Sequence, residues 1–101
     1  MAKRIIWTEK ADFIFNKILE YYIHRNLSKE YSRKLNNDIN AYLEILAKQP
    51  FLGKRVNDSD IHVAIKEHFK IFYQIEQDKL VIHLVWDCRQ NPISLKLNLM
   101  L

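Results

Sequence analysis

Five side chains in the second half of the chain are of the types that hold a phosphate and move a proton: Lys66, His68, Lys70, His83 and Arg89. A planar guanidinium binds a phosphate through two parallel hydrogen bonds, an ammonium binds it as a point charge, and an unperturbed imidazole titrates at about pH 6.5. Together they could hold a phosphodiester and carry a proton to or from it. Arg89 stands out as a phosphate ligand, although a salt bridge to Asp87 would also account for it. Lys70 is open to the same alternative, pairing with Asp87 across a hairpin. His68 reads as a turn histidine, and His62 and His83 as strand histidines on a polar face. No two histidines have a metal-ligand spacing, so neither a metal nor another cofactor is expected. Cys88 points by alternation to the core side and reads as a buried, inert thiol.

Placing these residues depends on the elements that carry them. Ile61, Val63 and Ile65 alternate with His62, Ala64 and Lys66, Ile71, Tyr73 and Ile75 with Lys70, Phe72, Gln74 and Glu76, and, after a Gln77-Asp78-Lys79 turn, Ile82, Leu84 and Trp86 with Val81, His83 and Val85. A period of two predicts three strands joined as hairpins. Alternation puts those nine apolar residues on one face and His62, Lys66, Lys70, Gln74, His83, Asp87 and Arg89 on the other, with His68 at a turn on that second side. Such a polar face is either a functional surface or simply the solvated side of an antiparallel sheet.

The first half has helical period. Ile5-Ile6-Trp7 reads as a short strand, and Thr8 as the cap of a helix from Glu9 to Arg25, whose inward stripe is Ala11, Ile14, Phe15, Ile18, Leu19 and Tyr22. Ser28 is a second cap. Tyr31, Leu35, Ile39, Tyr42 and Leu46 then mark a helix over Lys29 to Gln49, closed by Pro50 and Gly53. Phe13, Tyr31, Tyr42, Tyr73 and Trp86 read as core. The tail Ile93–Leu101 alternates with leucine at every odd position from Leu95, and is expected to add an edge strand or to pair with a second copy or a partner peptide.

The chain has 101 residues, 49% hydrophobic and 28% charged, and fits a single domain spanning residues 1–101. Sixteen Lys and Arg against 12 Asp and Glu give a net charge of +4, a mild preference for anionic partners. A single glycine, Gly53, excludes both a Walker loop and a dinucleotide fingerprint. One cysteine excludes an internal disulfide. The N-terminal apolar run is too short for a signal sequence or a membrane span, so a soluble cytoplasmic protein is expected.

Several of these features resemble, in order and spacing, the RelE/ParE superfamily of toxins from bacterial type II toxin–antitoxin modules. They are the N-terminal strand, the hairpin with Ala11, Ile18, Tyr22 and Asn26, the Leu46…Pro50-x-x-Gly53 exit, the strand Phe69–Tyr73, and the strand end Val85-Trp86-Asp87-Cys88-Arg89-Gln90-Asn91-Pro92. The resemblance implies an α+β fold with a helical hairpin on one face of a curved antiparallel sheet, and a cognate antitoxin that wraps the other face in a hetero-oligomer. It also implies one of two activities. RelE-like members enter the ribosome and cleave mRNA as endoribonucleases (mRNA interferases), which would give Lys66, Lys70 and Arg89 the phosphate and His68 or His83 the proton. The chain departs from that branch in lacking a Tyr or His-Tyr pair after Pro92, and in having Ile61 and Val63 where some members have Lys. ParE-like members bind DNA gyrase and stall it without catalysis. RNA cleavage is the expected activity because of the basic face, with gyrase inhibition, or an inactive family member, as the alternatives.

Overall fold

The computed structural model describes residues 2–89. Strand β1 (Arg4–Trp7) leads into helix α1 (Glu9–Asn26), which turns into helix α2 (Glu30–Lys48). A loop and the two-residue strand β2 (Lys54–Arg55) follow, then β3 (Ile61–Lys66), β4 (Phe69–Glu76) and β5 (Lys79–Asp87). The expected helices and three long strands are all present. Thr8 caps α1 as anticipated, its side chain accepting from the Ala11 N–H at 3.0 Å. Ser28 caps only in part: its hydroxyl accepts from the Glu30 N–H at 3.2 Å, while Lys29 occupies the cap position.

All five strands form one sheet in the order β1-β5-β4-β3-β2. The sheet is mixed, because β1 lies parallel to β5 while every other pair is antiparallel. Between β1 and the antiparallel remainder run the two helices, whose length makes a parallel return possible. Ala11, Phe15, Ile18 and Tyr22 of α1 and Leu35, Ile39, Leu43 and Leu46 of α2 bury against Ile71, Tyr73, Leu80, Ile82 and Val85. Ser32 is buried between the helices, where its hydroxyl donates to the Leu19 carbonyl at 2.6 Å and is thereby satisfied. Phe13, expected in the core, is 62% exposed beneath Lys17, because it lies off the inward stripe of α1.

The faces of the sheet differ from simple alternation, for two reasons. A two-residue turn at Glu67-His68 pairs Lys66 with Phe69, so odd residues of β3 lie opposite even residues of β4: Ala64 meets Ile71 and Val63 meets Phe72. A β-bulge then changes the register of β5, since Tyr73 pairs with Ile82 but Phe72 with Leu84, leaving His83 as the extra residue. Ile61, Val63, Leu84 and Trp86 therefore sit away from the helices, clustered with Phe72 and Val56; Ile14 of α1 reaches this cluster as well as the main core. Ile65, expected inside, is exposed on the same outer side, opposite Lys70. The alternating tail from Ile93 lies outside the described residues.

Candidate functional site

The change of register decides where the candidate residues go. Lys70 pairs with Ile65 and Trp86, on the outer face. His83 is there too, its Nε2 3.0 Å from Gln74 Oε1. Lys66 and His62 fall on the helix side, contrary to the expectation of one shared face. The Lys66 ammonium sits over the Tyr42 ring, 5.9 Å from its centre, and His62 stacks on Tyr73 at 5.5 Å. Asp87 and Arg89 also lie on the helix side, and Asp87 pairs with Phe69 rather than Lys70. Cys88 is exposed, not buried, because β5 ends at Asp87 and the Cys88 N–H is held by the His68 carbonyl at 2.7 Å.

What the structure does bring together is the end of β5 and the C-terminal turns of α1. Asp87 is almost fully buried there. Its Oδ1 accepts from the Arg89 backbone N–H at 2.9 Å and from Arg89 Nε at 3.1 Å, and its Oδ2 accepts from an Arg89 terminal nitrogen at 3.2 Å and from the Tyr22 hydroxyl. That hydroxyl accepts in turn from Arg89, whose guanidinium stands 5.0 Å from the centre of the Tyr22 ring. Tyr31 packs edge-on against Tyr22. The expected alternative for Arg89, a salt bridge to Asp87, is present; its side chain is 44% exposed and leans into a cleft of about 320 Å³ lined also by Arg25, Asn26, Tyr31 and His68.

The electrostatics of this cluster are those of a clamp. Burial pushes the Asp87 carboxyl up, but the side-chain hydrogen bonds from Arg89 and Tyr22 and the Arg89 N–H outweigh it, and the carboxyl is held below its ordinary value. Burial first, and then the bond to the Asp87 carboxylate, push the Tyr22 hydroxyl well above the usual phenol range. The Arg89 guanidinium is driven further up by Asp87. At neutral pH all three are fixed in one protonation state and none of them is poised to exchange a proton. His83, on the other face, has its pKa lowered by burial.

The sequence reading missed Arg25 and Tyr31 as neighbours of Arg89, and it noted Tyr22 and Asn26 without giving them a role. Tyr22 and Asn26 are four residues apart with Arg25 between them, all in the last two turns of α1, a spacing that places the outer two on one face. Among the described residues, no group of three His, Cys, Asp or Glu side chains is placed to hold a metal ion. No described helix is long and apolar enough to cross a membrane.

Residues 5–92 match the family model of the ParE toxin of the type II toxin–antitoxin system parDE. Among solved structures, the chain is similar to one from the chromosomal ParDE toxin–antitoxin system of P. aeruginosa, with a TM-score of 0.71 and 17% identity over 83% of this chain and 94% of that one. It is also similar to one from the toxin–antitoxin complex RelBE2 of Mycobacterium tuberculosis, with a TM-score of 0.62 and 18% identity over 84% of this chain and 96% of that one. No curated protein sequence matches the chain.

Proposed function

The chain belongs to the ParE toxin family of type II toxin–antitoxin systems, and from that premise we propose that it arrests growth by binding and stalling DNA gyrase, without cleaving nucleic acid. A cognate antitoxin neutralises it by occupying its surface in a hetero-oligomer. Its site of action is the cytoplasm.

The observation that supports this reading is the separation of the cations. Cleavage of a phosphodiester needs a base, an acid and a cation around one phosphate. Lys70 and His83 are on the outer sheet face, Lys66 is over Tyr42 on the helix side, and Arg89 is bound to Asp87 at the end of β5. Stalling by binding needs no such convergence.

A second reading, ribosome-dependent mRNA cleavage, is favoured by one observation: Arg25, Arg89, His68 and two tyrosines line a single cleft. In that reading Arg89 holds the phosphate and His68 carries the proton, while Lys66 and Lys70 serve only to attract RNA. Mapping mRNA 5′ ends after induction separates the two. Gyrase stalling predicts growth arrest with no new ends in codon register. New ends that vanish in Arg89→Ala would replace it with the second reading.

A further inference from the structure

We propose that the loop between α2 and β2 is the toxin's contact with its protein target, and that Phe51 and Leu52 insert there into an apolar pocket rimmed by carboxylates. This rests on the toxin reading above, in which that target is gyrase.

The loop is apolar, exposed and rigid at once. Phe51 is 77% and Leu52 52% exposed, adjacent in the chain and lining one cleft. Phe51 meets the His62 ring edge-on, with 6.0 Å between ring centres. Surface apolar residues scattered singly need no explanation, but adjacent ones on a fixed backbone are the usual form of an interface anchor.

The backbone is fixed by Tyr73, whose side chain is fully buried in the core. Its hydroxyl donates to the Pro50 carbonyl at 2.7 Å and accepts from the Gly53 N–H at 3.0 Å, while the Leu52 N–H donates to the Gln49 carbonyl at 3.1 Å. Gly53 is needed for this approach, since a Cβ there would lie 2.5 Å from the Tyr73 hydroxyl and 2.7 Å from the Val63 carbonyl. Anchors held in place before binding lose little entropy on association.

Charge states the partner's chemistry. Lys48 lines a cleft of about 370 Å³ with Gln49, Pro50, Phe51 and Leu52, and on β2, the edge of the sheet, the exposed Arg55 pairs with His62, whose ring Phe51 meets, while Lys54 pairs with Val63 and belongs to the outer face. The nearest acids along the chain past β2, Asp58 and Asp60, lie beyond Val56 in the next turn. A basic rim around apolar anchors fits an acidic rim around an apolar pocket. The cations alone would suit a phosphate as well, but exposed apolar Phe51 and Leu52 at the tip of the loop call for an apolar pocket, which a protein surface supplies and a phosphate backbone does not.

The test uses the full-length toxin in a gyrase supercoiling assay, beside thermal melting and antitoxin titration. Phe51→Ser and Leu52→Ser should each weaken inhibition about tenfold or more and leave the melting midpoint and antitoxin affinity unchanged. Arg55→Glu, which removes no apolar contact, should weaken inhibition several-fold and reduce its dependence on salt. Wild-type potency in the two apolar variants would overturn the proposal. So would an equal loss of antitoxin affinity, or a toxin affinity for duplex DNA alone that Phe51→Ser weakens. If the wild type leaves gyrase untouched, the gyrase reading fails by itself, and growth arrest on induction judges the loop: arrest lost in Phe51→Ser supports it, arrest retained overturns it.

Discussion

Asp87 is the carboxylate on which the end of β5 depends. Its folded-state pKa lies below the ordinary carboxyl value of 3.8, so below that value the unfolded chain binds more protons than the folded one. The resulting stability is fully present above the ordinary value and is lost as pH falls through the folded one. Asp87→Asn should therefore flatten the acid side of the stability profile, measured as the melting midpoint between about pH 2 and pH 7. At neutral pH it should cost about 1–3 kcal/mol, because Arg89 and Tyr22 lose a charged acceptor. Tyr22→Phe removes the hydroxyl that donates to Asp87 and accepts from Arg89. It should cost about 1–2 kcal/mol in a denaturant titration. His83 works in the same direction at higher pH: burial lowers its pKa, so stability falls as pH drops below its ordinary value of 6.5.

At the scale of elements, the two helix ends are unequal. Leu27, at the C-terminal end of α1, is in the left-handed conformation with φ 52° and is 91% exposed. A leucine is strained there and contributes no packing in return. Leu27→Gly should raise stability by about 1 kcal/mol in thermal or denaturant unfolding. Gly53→Ala should do the reverse, costing about 1–3 kcal/mol, as the Tyr73 hydroxyl has no room to yield. The helices were legible because apolar residues at three and four along Ala11–Tyr22 and Leu35–Leu46 fix both type and inward face. The strands were legible in place but not in facing. Ile61, Val63 and Ile65 alternate as cleanly as Ile71, Tyr73 and Ile75, and only the two-residue turn between them puts the two sets on opposite sides. The bulge at His83 left no mark in the alternation either, since Leu80, Ile82, Leu84 and Trp86 continue their period across it. Trp86 shows the consequence: it is buried in the outer cluster with Phe72 and Leu84. Its Asp87 neighbour turns inward to Tyr22. The candidate site inherited both errors: Arg89, read as a phosphate ligand with a salt bridge to Asp87 as the alternative, does make that salt bridge, while Lys70 and His83 were placed on its face and lie on the other.

For the whole molecule, the excess of four positive charges now means less than its distribution. The cations do not converge on one sheet face; they divide between the outer face, the Arg89 cleft and the rim of the α2–β2 loop. Family membership over residues 5–92 and this division together favour a toxin that acts by binding. The most direct measurement is a supercoiling titration of purified gyrase with purified toxin, without ribosomes or mRNA. The account predicts dose-dependent loss of supercoiling that is restored by stoichiometric antitoxin. Full gyrase activity at every toxin concentration, with the same preparation arresting growth on induction, would contradict it.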